Sequence, residues 1–99
     1  MITFIRQADS VSGKLGEAMA FAHEIATLSS RIIGNEVKVM TPVGGPADMI
    51  GWFATFEDLS AFGAAFGKLS TNQDYLQALK KAHGLFVDGA THDQIWHQA

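Results

Sequence analysis

The sequence predicts an α+β fold, a four-stranded antiparallel sheet with helices on one face. Three observations predict it. Ninety-nine residues make a single domain, because two independent cores need a longer chain. Hydrophobic residues at 47% against 17% charged supply the apolar surface of a packed core and exclude disorder. The apolar period then switches between two and 3.6 along the chain, giving the element order β-α-β-β-α-α-β.

Each element has a local reason. Residues 2–7 are short, β-branched and aromatic-rich, which reads as a strand. A break at 9–13 follows, with Ser12 placed to cap a helix that runs to Ile33. Ala18, Phe21, Ile25, Leu28 and Ile32 form the apolar seam of that helix. Leu15, Met19, Ala22, Ala26 and Ile33 form a second stripe beside it. Gly34 supplies the left-handed position that ends many helices. Residues 36–41 alternate around Val37 and Val39 as a second strand, and the Pro42 to Pro46 stretch with its two glycines is a loop. Residues 49–56 are the third strand. Thr55 with Asp58, and Thr71 with Asp74, give capping spacings for two further helices, the second stopping near Gly84. Residues 86–89 read as a turn and 92–96 as the last strand.

The packing solution for this order is the ferredoxin-like βαββαβ plait, its second crossover made by two short helices. Right-handed crossovers put the first and third strands at the sheet centre.

One copy leaves a face uncovered. Helices on a single side call for apolar–polar alternation in every strand. In the third strand Ile50, Trp52, Ala54 and Phe56 point one way, but Met49 and Phe53 point the other. Burying a large apolar side chain is worth roughly 1.5–3 kcal/mol. A second copy of the sheet is the simplest cover. The expectation is a homodimer through the face carrying Ile5, Met49, Phe53 and Ile95.

The PVGG run at 42–45, the IGWFATF run at 50–56, Leu59, and Asp74 with Tyr75 resemble the hairpin, central strand and helices of NIPSNAP-like proteins. These are a branch of the dimeric α+β barrel superfamily. The resemblance spans nearly the whole chain and implies two plait sheets meeting face to face. Other branches include cofactor-free monooxygenases, haem-degrading enzymes and stress-responsive proteins. The NIPSNAP-like branch itself implies no settled activity.

Net charge is −3 with only seven Lys and Arg, none clustered, so no nucleic-acid partner is expected. No segment approaches the roughly 20 apolar residues of a bilayer span. With no leader pattern recognisable, the expected compartment is the cytoplasm. Without cysteine there is no thiolate chemistry and no disulfide. His92 and His97 fall on opposite faces of one strand, and no metal-ligand spacing occurs among the histidines, so neither a metal site nor a cofactor is expected. His83 or His23 is the candidate axial ligand if a haem were bound. Otherwise His83 is a helix C-terminal cation and His23 a surface residue.

Arg6, Trp52, Tyr75, His92 and Trp96 are the candidate small-molecule pocket, brought together if the first, third and last strands are adjacent. The competing reading makes the aromatics ordinary core or interface residues and pairs Arg6 with a carboxylate. No nucleophile elbow, P-loop or dinucleotide fingerprint is present. The residues alone assign no reaction. They point to binding or interaction, with a cofactor-independent monooxygenase using His92 or His23 as proton acceptor, or haem binding, as alternatives.

Overall fold

The computed structural model describes residues 1–99. Four antiparallel strands lie in the order β2-β3-β1-β4, the arrangement of the plait. Strand β1 (Ile2–Asp9) is central and pairs along its full length with β3 (Met49–Phe56). On its other side it pairs with β4 (His92–His97). The opposite edge is the short β2 (Lys38–Met40). Helices α1 (Leu15–Ile33), α2 (Leu59–Ser70) and α3 (Gln73–Leu79), the last ending in a 3-10 turn at Lys80–Ala82, pack on one side of the sheet. The molecule is a slab of 38 × 34 × 21 Å, its short dimension being one sheet and one helical layer.

The element types follow the local signals, and the boundaries show where tertiary pairing took over. Strand β1 extends past Gln7 because Ala8 and Asp9 continue the ladder opposite Ile50 and Met49. Ser12 does not cap α1. Instead the Lys14 N–H bonds the Val11 carbonyl, Gly13 takes φ +84°, and the helix starts at Leu15 without a side-chain cap. Its other end is as expected, with Gly34 at φ +70° donating to the Ser30 carbonyl.

Thr55 stays in β3, so the cap of α2 is Asp58, whose carboxylate accepts the Ala61 N–H at 2.8 Å. Likewise Asn72, rather than Thr71, caps α3 by accepting the Tyr75 N–H at 3.0 Å. In both cases the cap falls to the extended residue just before the helix. The second strand shrinks from 36–41 to three residues, since only Lys38, Val39 and Met40 find partners on β3. The 86–89 turn is stitched to the end of β1, with the Val87 N–H on the Asp9 carbonyl and the Val11 N–H on that of Leu85.

The ladder registers assign every strand residue to a face. Ile2, Phe4, Arg6 and Ala8 of β1 share the helix side with Ile50, Trp52, Ala54 and Phe56 of β3. Ile5 stands opposite Phe53 on the open side, with Asp9 opposite Met49. One assignment read from sequence is corrected here. Ile95 lies opposite Phe4, on the helix side, whereas Trp96 lies opposite Thr3 on the open side. The apolar residue that β4 contributes to the open face is therefore Trp96. A register shift of one residue exchanges the two faces, and the β1–β4 register joins segments from opposite ends of the chain.

The buried residues form two clusters instead of one. Ala18, Phe21, Ala22, Ile25, Ile50, Ala78 and Leu85 make the first. Ile2, Ala54, Phe56 and Ala65 make the second. A small domain usually has one contiguous core. The space between these two is the feature that bears on function.

Candidate ligand-binding site

A cavity of about 120 Å³ lies between the sheet and the helices, with walls drawn from both clusters. Three layers build it. From α1 comes the row Phe21, Ile25, Ser29 and Ile33, each four residues beyond the last and so stacked on one side of the helix. Phe4 and Arg6 of β1, with Trp52 and Ala54 of β3, form the floor. The break between α2 and α3 provides the roof, including Phe62, Phe66 and Tyr75. Fifteen of the 17 lining residues are hydrophobic, so an occupant must be largely apolar.

Both ends of the cavity are framed by aromatic contacts. Phe62 packs on Phe4 at 5.2 Å and on Phe56 at 5.6 Å between ring centroids, the latter edge-on. At the other end Phe86 meets Phe21 edge-on at 5.8 Å and Trp52 at 5.9 Å. The Trp52 indole N–H donates to the Ala22 carbonyl at 3.2 Å. That bond ties the floor to α1 and satisfies the one polar atom of the ring.

Arg6 is held in place by its neighbour strand. Its Nε and Nη2 donate to the two carboxylate oxygens of Asp93 at 2.8 and 2.9 Å, a bidentate pair across the β1–β4 ladder. The guanidinium carbon also sits 5.7 Å from the Phe4 ring centroid. The hydrogen bonds that Arg6 donates to Asp93 raise its pKa above the ordinary value; burial opposes this, and the charge of Asp93 and the nearby Tyr75 add to the rise. Arg6 is thus a permanent cation whose charge is already matched.

The sheet divides the five residues expected to form a pocket. Arg6, Trp52 and Tyr75 converge on the cavity. His92 and Trp96 stand on the open side, opposite Gln7 and Thr3. No histidine, aspartate or glutamate lines the cavity. His23 is exposed in an open, polar groove between α1 and β2, and His83 is exposed just beyond the 3-10 turn rather than inside a helix. Neither haem-ligand candidate reaches the cavity, which is also well below the roughly 300–1,000 Å³ of sites for drug-sized ligands.

Two residues of the site were not singled out in the sequence. Asp93 is the carboxylate that Arg6 pairs with. Ser29 is the one hydroxyl set into the α1 row, and its signal was there, four residues after Ile25 and four before Ile33. The arrangement offers apolar walls, one hydroxyl on α1 and a paired guanidinium, and no imidazole or carboxylate to move a proton.

No protein-family model and no curated protein sequence matches this chain. Solved structures do match it. A NIPSNAP family protein of unknown function from Agrobacterium tumefaciens aligns with a TM-score of 0.84 at 18% identity, over 100% of this chain and 88% of that one. An uncharacterized NIPSNAP domain protein from Burkholderia xenovorans gives 0.85 at 12%, covering 100% and 95%. A variant of SnoaB, a cofactor-independent oxygenase from Streptomyces nogalater, gives 0.71 at 14%, covering 98% and 91%. The structural neighbours thus include NIPSNAP family proteins and an oxygenase. At such identities the likeness establishes the shared ferredoxin-like fold. It transfers no activity.

Proposed function

We propose that this chain forms a cytoplasmic homodimer that binds a small apolar molecule in the cavity beneath α1. The observation that carries the binding reading is the cavity itself, which splits the core in two and is walled by aromatics already anchored by their own partners. Well-packed interiors leave few voids larger than a water molecule. An apolar cavity of roughly 150 Å³ accepts benzene, so the space here matches one aromatic ring.

The dimer reading is supported by the composition of the open face. Ile5, Met49 and Phe53 are only half-buried there, Met40 is 45% exposed and Trp96 62% exposed. Between them stand the uncharged Thr3, Gln7, Thr55 and Gln94 with His92, and two charges of opposite sign, Asp9 opposite Met49 and Lys38 opposite Phe53. A two-fold contact presses a surface against its own copy, and with one acid and one base the face carries no net charge to repel itself. The partner surface we propose is therefore Ile5, Met49, Phe53 and Trp96. Of the two histidines of the monooxygenase alternative, His92 lies on the open face and His23 in the groove between α1 and β2, and neither lines the cavity. The binding reading is accordingly preferred.

Two measurements test this. Light scattering at micromolar concentration returns twice the 10.7 kDa chain mass; the single-chain mass ends the dimer reading. For the cavity, Trp96→Phe leaves Trp52 as the only indole of the two present. Its fluorescence shifts on titration with benzene, and a flat response removes the cavity as a binding site.

A further inference from the structure

Adjacent serines of α1 are treated differently by the fold. Ser30 is fully engaged: its hydroxyl donates to the Ala26 carbonyl at 2.7 Å and accepts the Val37 N–H at 2.9 Å. Ser29 is 6% exposed, faces the cavity, and has no side-chain hydrogen bond to any protein group. The Ser29 oxygen has no protein partner and keeps some accessible area, so it is free to bond an occupant of the cavity, and the small apolar residues Ala18, Ala22 and Ala26 show that α1 buries alanine readily. Ser29 is the one hydroxyl in an otherwise apolar row of α1 that lines the cavity.

The charge balance limits what that oxygen can meet. Arg6 is the only cationic group on the wall, and both carboxylate oxygens of Asp93 already engage it. An anionic ligand would either displace Asp93 or leave its charge against apolar walls, which is costly. Taking the cavity as the ligand site, we infer that it selects a neutral, single-ring molecule carrying one hydrogen-bonding oxygen, and that Ser29 is the residue that recognises this oxygen.

The test compares phenol, benzene and benzoate at neutral pH, read by Trp52 fluorescence in the Trp96→Phe background with and without Ser29→Ala. Alanine favours the helix, and circular dichroism confirms that the variant folds. The expected result is that Ser29→Ala weakens phenol about fivefold, the worth of one hydrogen bond. Benzene changes less than twofold, and benzoate does not compete. Equal phenol binding by both proteins, with benzene still bound, overturns the role of Ser29 and leaves the cavity reading standing. Benzoate binding more tightly than phenol overturns the neutral-ligand assignment and points to Arg6. Failure of all three probes removes both this inference and the cavity reading.

Discussion

The two faces of the sheet are built from the same strands and do opposite things with their apolar residues. On the helix side Ile50, Ala54 and Phe56 are buried, and Trp52 is bonded through its indole to α1. On the open side Phe53 has no covering element. Its ring folds down over Gly51, so closely that a Cβ there would stand 2.6 Å from the Phe53 Cε1. Neighbouring residues of β3 thus answer to different constraints: Trp52 to the packing of one chain, Phe53 to the interface proposed for the open face. The difference teaches that an apolar strand residue is not by itself a core residue. Its parity decides which kind of stability it serves.

The largest expected effects separate the faces. Phe53→Asp puts a charge beside its own copy at the proposed interface and should convert the dimer to a folded monomer, seen as a halved mass with unchanged circular dichroism. Trp52→Ala should leave assembly alone and cost the chain about 3 kcal/mol in denaturant unfolding. If Phe53→Asp remains dimeric, the open face is not the interface.

A sharper, smaller test uses adjacent residues of β4. Trp96→Lys should weaken the dimer at least tenfold, while Ile95→Lys, on the helix side and already 46% exposed, should leave the dissociation constant unchanged. The reverse outcome would exchange the faces of β4.

The smallest effect is expected at Asp93. The side chains of Arg6 and Asp93 are 32% and 44% exposed, so solvent screens the pair, and Asp93→Ala should cost less than about 1 kcal/mol, shrinking further in high salt. Because the Arg6 pKa is raised, its share of that stability is present below the ordinary arginine value and is lost only as pH rises beyond the folded-state value. Stability from this arginine is therefore flat from mildly acidic to mildly basic pH.

Much of this was legible in the residue order. The long helix and its Gly34 stop, the 49–56 strand with apolar residues on both sides, and the split second crossover all depend on neighbours within a few positions, where spacing and dihedral preference are decisive. Together they imply the plait, and with it β1 and β3 at the sheet centre. Of the five pocket candidates named from the sequence, Arg6, Trp52 and Tyr75 line the cavity.

What tertiary structure alone decided was face and proximity. The register of β4 on β1 sent His92 and Trp96 to the open side and turned Asp93 toward Arg6, 87 residues away in the chain. The choice of which α1 row looks into the cavity made Ser29 a lining residue, although a helix pattern shows only that several apolar rows exist. Local sequence sets the period of each element. Rotation and register arise from contacts between segments far apart in the chain, and no short-range signal encodes them.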